Sequence, residues 1–138
     1  DGGDAQTSGE RGGAGHGFVL INASATIENT ASTTIVSNAF TASSAPTTSR
    51  IVVFQEDLSG SPSGNLNTDI IASISRDGGS NFTTATLTDS GYVTGSSGQR
   101  ILTGTATVSG QPSGTSMRWK LALANNQSKI HGVSLQWK

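Results

Sequence analysis

The run Asp69-Ile70-Ile71-Ala72-Ser73-Ile74 leads directly into Ser75-Arg76-Asp77-Gly78-Gly79-Ser80-Asn81-Phe82, and Thr83-Thr84-Ala85-Thr86-Leu87-Thr88 follows. Asp-Gly-Gly between two strand-like runs specifies a tight hairpin. Its turn positions need φ > 0, which glycine adopts without a Cβ clash. A chain with such a corner near its middle must build antiparallel strands around it.

The same punctuation recurs from Phe18 onward. The alternation predicts eight strands, at about 17–27, 33–42, 50–57, 69–76, 82–89, 100–109, 116–124 and 129–137. Turn clusters separate them, among them Ser43-Ser44-Ala45-Pro46, Ser59-Gly60-Ser61-Pro62-Ser63-Gly64 and Gly110-Gln111-Pro112-Ser113-Gly114. Thr, Val and Ile dominate the runs, and no capped 3.6-residue stripe is sustained, which disfavours helix. The expected fold is all-β: an antiparallel two-sheet β-sandwich, jelly-roll-like.

Period 2 assigns the core faces. Val19, Ile21, Ala23, Ala25 and Ile27 share one face of the first strand. Met117, Trp119, Leu121 and Leu123 share one face of the seventh, and His131, Val133, Leu135 and Trp137 one face of the eighth. In the sixth, Leu102, Ala106 and Val108 alternate with Thr103, Thr105 and Thr107, whose β-branched hydroxyl side chains suit a wet strand face. Residues 18–138 make one domain. Residues 1–17 are Gly-rich and polar, too poor in apolar area to offset chain entropy alone. They are expected to form a flexible arm that orders against a neighbouring subunit.

Composition narrows the function classes. Lys and Arg total 8 against 9 Asp and Glu, a net charge of −1, so no basic field points to nucleic acid. Only 12% of residues are charged, and solubility rests instead on 21 Ser, 18 Thr and 18 Gly. Cysteine is absent, so stability falls to the core or to association. No apolar run reaches the roughly 20 residues of a membrane span, and no membrane insertion is expected.

Candidate chemistry is sparse. Glu56 and Asp57 are adjacent and would point to opposite faces of a strand, which does not suit an acid–base pair; with Asp69 they could join carbonyls of 58–68 around calcium, but that loop lacks the Asp-x-Asp spacing of a calcium cage. His16 and His131 lie far apart with no ligand spacing for zinc. No nucleophile elbow or phosphate loop occurs. The sequence thus assigns no catalytic residue, no metal and no cofactor. Trp119 and Trp137 fall on core faces, whereas Tyr92, between Gly91 and Gly95, is the expected exposed ligand contact. Asn22, Asn81 and Asn126 begin sequons.

The octet Ser75–Phe82, with its Ser-x-Asp-x-Gly-x-x-Phe pattern, resembles the Asp-box hairpin of sialidases and other β-propeller proteins. The resemblance implies that Ser75 and Asp77 clamp the turn through Gly78 and Gly79, and that Phe82 anchors it. A single copy excludes a propeller. A wider resemblance covers about residues 50–138. It rests on Arg50-Ile51-Val52-Val53-Phe54-Gln55-Glu56-Asp57, Ile74-Ser75-Arg76-Asp77-Gly78-Gly79, Arg100-Ile101-Leu102-Thr103-Gly104 through Lys120, and Ile130-His131-Gly132-Val133-Ser134-Leu135-Gln136-Trp137. These segments resemble a β-rich domain of bacteriophage virion proteins, notably tail-fibre and other structural proteins of marine phages. That likeness implies a non-enzymatic module at the virion surface, of fibre or capsid-decoration type, whose partners are copies of itself and other virion proteins. The alternative is a receptor-recognition module that binds a host surface glycan.

Overall fold

A computed structural model of the chain describes residues 27–28, 32–57, 66–96, 98–124 and 128–138. Nine strands and no helix occur among them: β1 (Ile27–Glu28), β2 (Thr33–Val36), β3 (Phe40–Thr41), β4 (Thr48–Asp57), β5 (Ile70–Ser75), β6 (Thr83–Tyr92), β7 (Gln99–Thr107), β8 (Ser116–Leu123) and β9 (Ser128–Trp137). The arm expected at 1–17, and the first strand before Ile27, lie outside the described residues. The strand expected over 33–42 is broken into β2 and β3. At the break, Ser37 donates its N–H to the Trp119 carbonyl at 3.0 Å, and its Oγ accepts the Trp119 N–H at 3.0 Å. Its hydroxyl thereby takes a donor that a continuous backbone ladder would use.

All strand pairings are antiparallel. They are also nested. The octet turn joins β5 to β6; β4 pairs with β7, β2 and β3 pair with β8, and β1 pairs with β9. The chain is therefore one long hairpin with the octet at its tip. Rolling that hairpin lays β9 beside β4, β8 beside β5 and β7 beside β6. The all-β antiparallel expectation stands. The strands follow one continuous path, β1-β9-β4-β7-β6-β5-β8-β2, curled into a half-barrel and not clearly parted into two sheets.

Strand β6 makes the bend. Its first residues pair with β5 up to Ala85↔Ala72, and from Thr86↔Thr105 onward it pairs with β7. A strand shared between two sheet directions must turn tightly there. Gly104, opposite Leu87, permits the approach, because a Cβ at Gly104 would stand 2.9 Å from the Thr86 carbonyl oxygen.

The inner faces of both halves meet in one core. Ile51 and Val53 of β4, Ile70, Ala72 and Ile74 of β5, Leu102 of β7, Met117 and Leu121 of β8, and Ile130 of β9 are fully buried. The expected β8 face is buried as read. The β9 face is not. The register pairs Phe54 with Gly132 and Gln55 with Ile130, so His131 is the extra residue of a β-bulge. A bulge reverses side-chain parity along its strand. Ser128 and Ile130 point inward before it, the half-buried Val133, Leu135 and Trp137 point inward after it, and His131 leaves the core for its rim.

Candidate functional site

The octet closes one end of the molecule. Ser75, the buried last residue of β5, places its hydroxyl inside the turn. Its Oγ accepts the N–H groups of Asp77 (3.2 Å) and Gly79 (2.9 Å) and donates to Asp77 Oδ1 (2.7 Å). Asp77 in turn accepts the Asn81 N–H at 2.9 Å and the Asn81 side-chain amide at 2.6 Å. These donors, the Asn81 amide first, pull the Asp77 carboxyl down to a pKa of about 2. Gly78 and Gly79 carry φ of 77° and 96°. Phe82 is half-buried beside Gly79, with the Lys120 ammonium 4.2 Å from its ring centroid. The Ser75 hydroxyl and the Asp77 carboxylate are thus spent on holding the turn, which marks it as a structural corner.

Arg76, inside the same octet, does more. Its side chain is buried and has no carboxylate partner among the described residues. It donates instead to backbone carbonyls: Nε to Pro112 (3.1 Å), Nη1 to Pro46 (2.8 Å), and Nη2 to Ser109 (3.0 Å) and to Gln111. The Gln111 side chain accepts the Arg76 N–H and donates to the Ile74 carbonyl and Thr83 Oγ1, each at 2.8 Å. Pro46 lies between β3 and β4, and Ser109 to Pro112 lie between β7 and β8. One guanidinium, with its five donors in a rigid fork, therefore ties together all three connections at this end.

A second buried arginine organises the opposite end. Arg100 Nε donates to Gln55 Oε1 at 2.9 Å, Nη2 meets Asp57 at 3.1 Å, and Nη1 meets Asp89 at 3.3 Å. Gln55 is fully buried and donates to Asp57 (2.8 Å) and to Ser128 Oγ (3.2 Å). This network links β4, β6, β7 and β9. On the other face of β4, Glu56 lies 2.8 Å from His131 Nε2. Glu56 and Asp57 thus point to opposite faces. Tyr92 ends β6 as a strand residue, opposite Arg100, after a register shift at Ser90 and Gly91; it is 65% exposed.

Five carboxylates, Glu56, Asp57, Asp69, Asp77 and Asp89, already have partners. Glu56 meets His131, Asp57 and Asp89 meet Arg100, Asp77 meets Asn81, and Asp69 is also engaged. No three His, Cys, Asp or Glu side chains converge among the described residues. No family model, curated protein or solved structure matches the chain. Function must therefore be argued from geometry.

Sequence reasoning overlooked Arg76, Arg100, Gln55, Gln111 and Asn81. One signal was available: Gln55 shares parity with Ile51 and Val53, and a polar residue on a core face demands a buried partner.

Proposed function

We propose that this chain is a non-enzymatic structural module of a phage virion, of fibre or capsid-decoration type, built with jelly-roll topology. The nested order of pairings carries the proposal. With β2 and β3 counted as one interrupted strand, β1-β9-β4-β7 and β2-β8-β5-β6 are the two four-strand rows made by rolling up a single long hairpin. Capsid and lectin domains use that double-Greek-key winding. The engaged carboxylates support a scaffold rather than an acid–base site. Arg76 and Arg100, one at each end, support a rigid body that presents its faces to neighbours at the particle surface. Association with copies of itself and with other virion proteins is the working mode. Light scattering on the full chain tests this. A defined oligomer is expected; a strict monomer at every concentration that also fails to join particles would overturn the proposal.

A second reading has its own observation. Tyr92 and Phe40, at 65% and 42% exposure, are the large hydrophobic side chains left open among the described residues. An exposed tyrosine at a loop-bearing end suits glycan contact. Loss of glycan-array binding in Tyr92→Ala would favour a receptor-recognition module, and binding unaffected by that change would remove it.

A further inference from the structure

On the outer face of β9, β4 and β7, Gln136, Arg50 and Thr105 stand side by side in one row across the three strands. Lys138 and Thr48 form the next row, held by the Lys138 N–H on the Thr48 carbonyl at 3.0 Å and the Thr48 N–H on the Lys138 carbonyl at 3.1 Å. Together with Ser49 and Trp137, these residues line a cleft of about 250 Å³. The lining side chains include two cations, Arg50 and Lys138, and no Asp or Glu. Arg50 is also set apart from the other described arginines. Arg76, Arg100 and Arg118 each donate to protein oxygen atoms, whereas the Arg50 guanidinium bonds to no described residue.

We infer that this cleft is a binding site for a carboxylate-bearing sugar, of the uronic or sialic acid class. A guanidinium fork matches a carboxylate with two parallel hydrogen bonds, which a lysine cannot reproduce. The Lys138 ammonium adds attraction from the neighbouring row. The hydroxyls of Thr48 and Thr105 and the amide of Gln136 supply both donors and acceptors, as the hydroxyls of a sugar ring require. The volume is below the roughly 300–1,000 Å³ of drug-sized pockets and suits a single sugar residue of a longer glycan. The site lies at the opposite end of β4 from Tyr92, and it does not depend on the virion reading.

The test is titration of the full ¹⁵N-labelled chain with glucuronic acid and N-acetylneuraminic acid, with glucose and glucose 6-sulfate as comparison arms. Saturable shifts at Arg50, Thr105 and Gln136 are expected with both acids and not with glucose. Arg50→Ala should weaken binding at least about tenfold, and Arg50→Lys should restore only part of it. Arg50 is exposed, so both variants should keep the wild-type melting temperature; Lys138→Ala is a second variant expected to weaken binding. Three outcomes would overturn the inference: no saturable binding of either acid, binding unchanged in Arg50→Ala, or glucose 6-sulfate binding more tightly than both acids.

Discussion

Arg76 and Gln111 hold each other from both ends: the Gln111 side chain accepts the Arg76 backbone N–H at 2.8 Å, and the Arg76 guanidinium donates to the Gln111 carbonyl. The two residues lie on different connections at the same end of the roll, and their clasp fixes how far apart β5 and β8 begin and end. Hydrogen bonds from a charged donor contribute roughly 1.5–3 kcal/mol each. Arg76→Met should therefore destabilise the fold by about 3 kcal/mol, since carbonyls of Pro46 and Ser109 lose their donor in a buried setting. Arg76→Lys should recover little, because an ammonium cannot span the fork. Urea denaturation checks this, and a loss below about 1 kcal/mol for Arg76→Met would show that the staple is ornamental.

The bend in β6 makes a contrasting pair of glycine predictions. A Cβ at Gly104 would meet the Thr86 carbonyl at 2.9 Å and the Ala85 Cβ at 3.2 Å, whereas one at Gly110 meets nothing within 4 Å. Gly104→Ala should cost about 1–3 kcal/mol through overpacking. Gly110→Ala should stay within about 0.5 kcal/mol of wild type. Equal thermal stability of the two variants would refute the tight bend.

Asn67 completes the same corner. Where β6 departs from β5, its Leu87 N–H and carbonyl lose the strand neighbour, and the Asn67 side chain takes both, at 2.7 and 3.0 Å. Asn67 itself has φ of 67°, a conformation that glycine adopts more readily. Asn67→Gly nonetheless should destabilise by about 1 kcal/mol, because the two amide bonds outweigh the backbone relief. A more stable glycine variant in chemical denaturation would reverse that ranking.

The octet predicts an acid-sensitive corner. Asp77 has its pKa lowered in the folded chain from 3.8 to about 2. A depressed carboxyl contributes stability that is complete above the unfolded value and disappears as pH falls through the folded one. The contribution of Asp77 should fade between about pH 4 and pH 2. Carbon-detected NMR titration of the Asp77 carboxyl should give a midpoint near the lower figure in wild type and a higher one in Asn81→Ala. An unshifted midpoint in that variant would mean that Asn81 is not the principal cause.

Strand positions were legible because they depend on near neighbours. Thr-Val-Ile runs, period-2 alternation and Gly-Pro-Ser separators act within a few residues, and β4 to β9 fall close to their expected places. The bulge at His131 was not legible. It is a mismatch between β9 and β4, and neither strand carries it alone. The two buried arginines escaped for the same reason. Arg76 reads as a turn cation and Arg100 as a strand-start charge, and only the folded roll surrounds one with carbonyls and the other with carboxylates.

By itself, then, the sequence determined that this chain is antiparallel β with a glycine corner between β5 and β6, since φ > 0 and alternation are local demands. Only the tertiary structure decided that this corner is the tip of a hairpin rolled on itself. It also decided that β6 belongs to both halves, and that Arg50, Thr105 and Gln136 share one open row. Those relations join residues as distant as Arg50 and Gln136, 86 positions apart, or Ile27 and Ile130, 103 apart, and strand order at such range is set by how whole faces bury together, which no short window of sequence contains.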